Sequence, residues 1–299
     1  MADLANRIPL VADTRTIQVA IAFIIVGLGL KLAIFPLHMW LPNAYTFAPS
    51  VVTIFLAATA TKVAVYALLR MVFTVFGGAP LFVVAQALMI LAVVAMFVGS
   101  LVAIYQSNIK RMLAYSSIAQ IGYMVLGISF ISAIGLTGGI IHLFNHALVK
   151  GALFMAVGCM FLRLESVRLE DMAGLGKLMP LTMACFLIAG LGLIGVPLTA
   201  GFISKWYLVL AAFHSDMWYI AVLILASSLL AVIYVWRVVE VAYFKPVPPR
   251  AREVAEAPFS MLVPLLILTG ASVYFGIDAT RTLDIASDAA NFLMRGMMP

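Results

Sequence analysis

The chain has 299 residues, of which 65% are hydrophobic and 10% are charged, with a mean hydropathy of +1.15 and a formal net charge of +6. About a quarter of the residues in an ordinary soluble domain are charged, so this composition excludes a soluble globular protein. The basic residues stand singly between apolar stretches, which excludes a nucleic-acid-binding surface and indicates a protein that lies in a lipid bilayer.

Eight apolar stretches reach the length of about 20 residues that a helix needs to cross a membrane. We predict an all-α integral membrane domain with spans at 17–35, 52–76, 81–105, 113–133, 137–162, 179–213, 217–244 and 258–278. The connections are short and contain Gly and Pro, so no second soluble domain is expected. The segment 281–299 is mildly amphipathic and is predicted to lie at the membrane interface.

Two of these stretches contain proline close to lysine. Lys31 precedes Pro36 in the first, and Pro197 and Gly201 precede Lys205 in the second. Proline removes a backbone donor, and the freed carbonyls at membrane depth must face protein or a water-filled cavity. We therefore predict helix breaks at Pro36, Pro197 and Gly201, a pattern that indicates an internal repeat and an ion pathway. The alternative interpretation is a pair of ordinary proline kinks.

Basic residues lie inside the predicted spans. They are Lys31, Lys62, Lys150, Lys205 and Arg237. A lysine at the centre of a span costs about 2.5–3.5 kcal/mol, so four of them cost roughly 10–14 kcal/mol. A purely structural helix bundle has no reason to carry that cost, and we interpret the four lysines as buried functional groups. The carboxylate of Glu240 follows Arg237 by three residues and is predicted to form a local ion pair with it.

One span carries His142, His146 and Lys150 at intervals of four residues, which places the three side chains on one helical face. Histidine changes its protonation near neutral pH, so this stack is typical of a proton relay. A zinc site is the alternative, but no carboxylate or third ligand is near and Lys150 would repel a cation. We therefore predict no metal site.

Other polar side chains are candidates to line the same path: Ser116, Ser117, Gln120, Tyr123 and His38. Hydrogen bonding between helices is an equally good interpretation of the first four, and His38 is either a member of the relay or a residue at the membrane interface. Phosphate-binding glycine loops, cysteine clusters and catalytic triad spacings are not found in the sequence. We therefore expect a transport subunit without catalytic residues or cofactors of its own.

The positive-inside rule predicts the orientation of the chain. Alternating the spans places one set of eight basic residues on the cytoplasmic side: Lys110, Arg111, Arg163, Arg168, Lys177, Lys245, Arg250 and Arg252. The opposite side receives five: Arg7, Arg15, Arg70, Arg281 and Arg295. Both termini are therefore predicted to face away from the cytoplasm, with Lys110 in a cytoplasmic loop.

Five ordered segments resemble one membrane protein family. They read KLAIFPLHMWLPNAYTFAP, ATKVAVYALLR, NIKRMLAYSSIAQIGYM, HLFNHALVKGALF and GVPLTAGFISKW. These segments resemble the antiporter-like membrane subunits shared by Mrp-type cation/proton antiporters and respiratory complex I, and the branch looks like the D-type subunit of the Mrp antiporters. The resemblance implies a multi-pass protein of the bacterial inner (plasma) membrane.

The resemblance also implies a proton path through matching positions: Lys31, Lys62, His142, His146, Lys150 and Lys205. Typical members have about fourteen helices in two inverted repeats, and an earlier glutamate pairs with the equivalent of Lys31. That segment is absent from this sequence. The resemblance therefore implies that 1–76 ends the first repeat, 81–244 forms the second, and 258–299 forms a terminal helix and tail.

Three functions are expected from these observations. The first is proton translocation, coupled to Na⁺ or K⁺ exchange, within an antiporter made of several membrane subunits. The second is proton pumping in a complex I-like NADH-quinone oxidoreductase or a membrane-bound hydrogenase, where partner subunits carry out the redox chemistry. The third is a structural fragment that conducts nothing.

Overall fold

The computed structural model describes residues 7–11, 14–76, 80–249 and 254–295. Within these ranges the chain is helical, and strand-like pairing is limited to an isolated bridge between Asn108 and Arg168. The main helices are α1 (Arg15–Leu32), α2 (Trp40–Phe47), α3 (Ser50–Phe76), α4 (Pro80–Ile104), α5 (Ile109–Ser129), α6 (Ala133–Leu164), α7 (Pro180–Ile194), α8 (Ala200–His214), α9 (Trp218–Phe244), α10 (Phe259–Ile277) and α11 (Thr280–Arg295). Single turns of helix lie at Ile8–Val11, Leu169–Met172 and Leu175–Leu178.

Seven of the described helices are long and apolar enough to cross a membrane: α1, α3, α4, α5, α6, α9 and α10. The predicted span 179–213 is instead two helices of 15 residues each, α7 and α8, joined by a break. The predicted all-α, multi-span architecture with two interrupted helices is confirmed.

Helix α5 forms the centre of the bundle, and every one of its residues except Arg111 is buried. Small residues allow its neighbours to approach closely. A Cβ at Gly122 would lie 2.7 Å from the Ala92 carbonyl oxygen, and a Cβ at Gly99 would lie 2.6 Å from the Ala119 nitrogen. Helix α1, by contrast, lies at the edge and is mostly exposed.

Helices α5 and α6 begin four residues earlier than the predicted starts at 113 and 137. The side chain of Asn108 accepts a hydrogen bond from the Arg111 backbone nitrogen at 3.1 Å, and Ser132 caps α6 in the same way. These N-caps satisfy donors in the first helical turn, so the helices begin earlier than hydropathy indicates. As a result the prediction of Lys110 as a loop residue was wrong, because it is helical and buried.

The two breaks occupy residues 33–39 and 195–199. Ala33 and Gly195 adopt left-handed backbone conformations at the ends of α1 and α7, and Pro36 and Pro197 lie inside the breaks as predicted. Gly201 does not, because it lies in the first turn of α8. Its role is close packing, since a Cβ at this position would collide with the Gly192 carbonyl oxygen.

Three stretches of π-helix interrupt the regular α-helices. Leu56–Ala60 and Met71–Phe76 lie in α3, and Glu240–Phe244 ends α9. A π-helical turn widens the helix and releases carbonyl groups from the usual i→i−4 pattern. The amphipathic segment predicted at 281–299 corresponds to α11, which packs against α6, and its last four residues lie outside the described ranges.

Candidate functional site: a buried lysine and histidine axis

Helix α6 positions the core of the site. The side chains of His142, His146 and Lys150 are only 2%, 3% and 0% exposed. The two imidazole rings stack with centroids 6.2 Å apart and planes 17° from parallel, as their four-residue spacing predicts. With Lys62 and Lys205, which are also buried, they form what we term the Lys/His axis.

His142 is held at both ring nitrogens. Nδ1 lies 2.8 Å from the Ser204 hydroxyl, and Nε2 lies 2.9 Å from the Gln120 side-chain oxygen. The Gln120 oxygen can only accept, so Nε2 carries the hydrogen and donates. Ser204 donates either to Nδ1 or to the Gly201 carbonyl oxygen, 3.1 Å away. His142 therefore finds matching partners in its neutral and in its protonated form, which differ only in the direction of the Ser204 hydroxyl.

Lys205 lies in α8, and its side chain reaches the break between α7 and α8. Its ammonium donates to the carbonyl oxygens of Leu193 at 3.2 Å and Ile194 at 2.7 Å, and to the Ser228 hydroxyl at 2.9 Å. It also lies 4.6 Å from the centroid of the Tyr123 ring. The carbonyls at the end of a helix lack intrahelical donors and carry a partial negative charge. The break therefore supplies the partners of a buried cation.

Lys150 is held by α5. Its ammonium donates to the Leu113 carbonyl oxygen at 2.7 Å and to the Ser116 hydroxyl. The predicted lining residue Ser117 instead bonds its own helix, 3.1 Å from the same carbonyl. Of the two serines predicted as candidates, Ser116 is therefore the one that contacts the lysine.

Lys62 lies just after the π-helical turn Leu56–Ala60 of α3, and its ammonium donates to the Ala57 carbonyl oxygen. The π-helical turn makes this carbonyl available to a side chain. The same π-helical turn packs against α6, where a Cβ at Gly151 would lie 3.9 Å from the Ala58 side chain, so Lys62 follows a segment in contact with the helix that carries the histidines.

A small cavity lies beside the two histidines. Gln120, His142, Asn145, His146 and Leu193 contribute to its walls. Both ring nitrogens of His146 and the side-chain oxygen of Asn145 are buried and have no hydrogen-bond partner among the described residues. The volume open to the centre of a water molecule is about 10 Å³, close to what one water requires, and the site offers several polar partners to it.

Within the described residues, the one ion pair is between Arg168 and Glu170, at 3.7 Å on the surface. The predicted pairing of Arg237 with Glu240 was wrong, because Arg237 donates to the carbonyl oxygens of Ile104 and Gln106. None of the axis lysines contacts a carboxylate in the described ranges; carbonyl and hydroxyl groups are their partners. The same ranges contain no cluster of three or more His, Cys, Asp or Glu side chains able to hold a metal ion.

Some predicted site residues are not brought to the axis. Lys31, expected to be buried, is exposed in the last turn of α1 without a partner among the described residues. The reason is that no described helix covers this face of α1. His38 is buried in the first break, where it stacks on Phe35 at 5.4 Å and meets the edge of Tyr115 at 6.3 Å.

Several further buried polar groups escaped prediction from the sequence. Asn145 donates to the Ala200 carbonyl oxygen at 2.6 Å and so joins α6 to α8. The buried Tyr234 hydroxyl has no hydrogen-bond partner within the described part of the chain. Lys110 donates to the Ala48 carbonyl oxygen at 3.2 Å and lies 5.4 Å from the Phe161 ring centroid. Of these three residues, only Asn145 could have been inferred from the sequence, because it lies between the two histidines of the predicted relay.

Comparison with known proteins assigns the chain to a family. The family described as "NADH:quinone oxidoreductase/Mrp antiporter, TM" matches residues 1–231. The chain belongs to this family. The resemblance inferred from the five sequence segments is therefore confirmed, as is the prediction of a multi-pass membrane protein.

The curated relatives include both branches of the family. The chain is 44% identical over 290 residues to the N subunit of NADH-quinone oxidoreductase from Desulforudis audaxviator, covering 93% of this chain and 58% of that protein. It is 31% identical over 294 residues to the D subunit of the Na⁺/H⁺ antiporter from Alkalihalophilus pseudofirmus, covering 98% and 59%. The chain therefore spans somewhat more than half the length of these relatives. Bacterial relatives of this kind support the predicted inner-membrane location.

Solved structures show the same fold. The Mrp complex from Dietzia sp. DQ12-45-1b contains a chain with a TM-score of 0.88 and 23% identity, covering 99% of this chain and 64% of that one. The archaeal membrane-bound sulfane sulfur reductase contains one with a TM-score of 0.84 and 30% identity, covering 94% and 58%. The first is described as a complex and the second as a respiratory membrane complex.

Proposed function

We propose that the chain translocates protons along the Lys/His axis as one membrane subunit of a larger complex. The observation that carries this proposal is the environment of His142, which satisfies both protonation states by turning one hydroxyl. A histidine with a purely structural role needs one matched set of partners. A histidine that gains and loses a proton needs two.

Charge on one member of the axis acts on the others. Leu193 O accepts from both Gln120 and Lys205, so hydrogen bonds connect His142 to the second broken helix. Lys205 is thus separated from His142 by one shared carbonyl group and one amide side chain. In the proposed cycle, a proton that leaves Lys205 reduces the repulsion on His142, which then accepts a proton at Nδ1 and passes it on.

We propose redox-driven pumping in a complex I-like assembly as the setting of this translocation. Identity to the NADH-quinone oxidoreductase relative is 44%, against 31% for the antiporter relative. The exposed ammonium of Lys31, on the uncovered face of α1, supports a partner on that side, because a charged group facing lipid is costly. Other membrane subunits of the complex would supply that cover.

A cation/proton antiporter is the second candidate. The match to the Na⁺/H⁺ antiporter relative extends over 98% of this chain, more than the 93% matched to the oxidoreductase relative. In this case, exchange with Na⁺ or K⁺ drives the movement of protons along the Lys/His axis.

One experiment separates the candidates. The chain is expressed with its genomic neighbours in bacteria that lack antiporters and complex I, and a fluorescent probe follows the pH gradient across everted vesicles. A gradient built by NADH supports redox pumping. A gradient that another respiratory substrate builds, and that added Na⁺ or K⁺ then collapses, supports antiport. Loss of either signal in Lys205→Ala, but not in Lys177→Ala at an exposed site, places Lys205 on the path. If neither signal appears in an assembled complex, the chain is a structural component and the proposal fails.

A further inference from the structure

A charged pocket lies at the far end of α9, away from the Lys/His axis. Its volume is about 300 Å³, and its charged lining residues are Glu170, Arg237, Glu240 and Lys245. We term it the α9 pocket. It contains two cations and two carboxylates and is therefore neutral overall.

The walls of the α9 pocket come from three segments that the backbone ties together. The Leu169 nitrogen donates to the Ser107 carbonyl oxygen at 2.8 Å, and the Gly174 nitrogen donates to Val241 O at 3.2 Å. Arg237 donates to the carbonyls of Ile104 and Gln106. The pocket is therefore formed by secondary structure and its bonded connections, and it does not depend on a free loop.

The charges in this pocket have few partners. Glu240 and Lys245 are exposed, and neither has a hydrogen bond or ion pair in the described chain. Among the described residues, the Glu170 carboxylate pairs only with the exposed Arg168, and such surface pairs contribute little to stability. A regular helix brings residues three apart onto one face. Here α9 becomes π-helical at Glu240 and this residue does not pair with Arg237. The charges are thus available to a bound molecule.

Aromatic side chains place the pocket at the depth of lipid headgroups. Trp236 and Phe244 on α9 are 54% and 71% exposed, with ring centroids 6.0 Å apart. Exposed aromatic residues at the end of a membrane-spanning helix mark the boundary between hydrocarbon and water. They offer an apolar surface for acyl chains beside a charged recess.

We infer that the α9 pocket binds a zwitterionic phospholipid headgroup that carries a primary ammonium, as in phosphatidylethanolamine. The phosphate pairs with Arg237 and Lys245, and the ammonium donates to Glu240 and Glu170. A trimethylated ammonium has no hydrogen to donate, and a glycerol headgroup has no positive charge. The mixed charge of the pocket therefore selects against phosphatidylcholine and against phosphatidylglycerol. This inference does not depend on the proposed function.

The test uses the full chain reconstituted in nanodiscs of phosphatidylcholine that contain a fixed minor fraction of either ethanolamine or glycerol phospholipid. Native mass spectrometry measures the lipids retained, and thermal unfolding measures stabilisation. We expect phosphatidylethanolamine to be retained about two- to fivefold more than the other two lipids, the range expected of an exposed ion pair. Glu240→Gln should remove this preference for ethanolamine over choline. Lys245→Gln should weaken retention of all three lipids.

The control is Lys177→Gln, an exposed lysine that does not line the pocket. Equal retention of the three lipids by the wild-type chain overturns the inference, as does stronger retention of phosphatidylglycerol, which would indicate a site for anionic lipid. An equal loss in Lys177→Gln also overturns it. If Glu240→Gln does not fold, a competition experiment on the wild-type chain replaces it. Free phosphoethanolamine should then displace the bound lipid more effectively than phosphocholine does, and equal displacement overturns the inference.

Discussion

The two broken helices differ in what they do with their free carbonyl groups. At the first break, the Leu30 carbonyl oxygen accepts from the Ala33 backbone nitrogen and, at 2.7 Å, from the Trp40 indole, while the Gly29 carbonyl oxygen accepts from the Ile34 backbone nitrogen. At the second break, the carbonyls of Leu193 and Ile194 stay available and bind Lys205. The second break thus binds a lysine through terminal carbonyls of α7, whereas the hydrogen bonds at the first break come from its own backbone and from an indole.

Coverage by neighbouring helices adds to this difference. Lys205 is 6% exposed, because α5, α7 and α9 surround it. Lys31 lies in the last turn of α1 and is exposed in the described chain. The two lysines are similar in sequence context but differ in their surroundings. A lysine near a helix break is therefore buried and bonded at the second break and exposed at the first.

The largest effect should follow from Lys205→Met at the second break. The change leaves the Leu193 and Ile194 carbonyls without their cation and removes a proton carrier, so proton flux in vesicles should fall at least about a hundredfold. Replacing Lys110, a buried lysine away from the axis, with Met is the matched control and should retain most of the flux. Flux that survives Lys205→Met in the assembled complex contradicts the importance assigned to the second break.

Ser204→Ala should reduce proton flux by about tenfold or more, because it removes the hydroxyl that adapts to both states of His142. The quantity to measure is the initial rate of gradient formation over a range of pH. Ser50 at the start of α3 has a buried hydroxyl without a partner among the described residues, and Ser50→Ala should leave the rate unchanged. Equal rates in the two variants would refute the role of the hydroxyl.

Gly201→Ala tests the packing of the second break. The added Cβ collides with the Gly192 carbonyl oxygen, so the variant should lose about 1–3 kcal/mol of stability, measured by denaturant unfolding in detergent. Gly27→Ala in α1 is the control, since a Cβ there meets nothing within 4 Å. It should be neutral or slightly stabilising. A stable Gly201→Ala protein would show that α7 and α8 separate easily.

The smallest effect concerns the first break. Trp40→Phe removes the indole hydrogen bond to Leu30 O and should cost about 0.5–1.5 kcal/mol. Hydrogen exchange of the backbone around residues 29–34 is the suitable measurement, and it should become faster there while the second break is unchanged. Unchanged exchange in 29–34 would mean that backbone bonds alone hold the end of α1.

Local patterns in the sequence were enough to predict the membrane spans, the positions of Pro36 and Pro197 in the breaks and the stacking of His142 on His146. Each of these depends on hydropathy, proline chemistry or helical spacing, which are properties of neighbouring residues. The family also followed from local segments, and the comparisons confirmed it. The proton-path roles of the axis residues remain a prediction.

The groups that contact the axis lysines are selected by the packing of the helices, and the sequence did not reveal them. Gln120 and Leu193 are 73 positions apart, and Ser204 and His142 are 62 apart, yet each pair is hydrogen-bonded. The burial of Lys110, the exposure of Lys31 and the separation of Arg237 from Glu240 follow from helix packing and from a π-helical turn. Whether a side chain is buried, and which group it bonds, depends on helices that are far apart in the sequence. Local sequence patterns therefore do not predict either property.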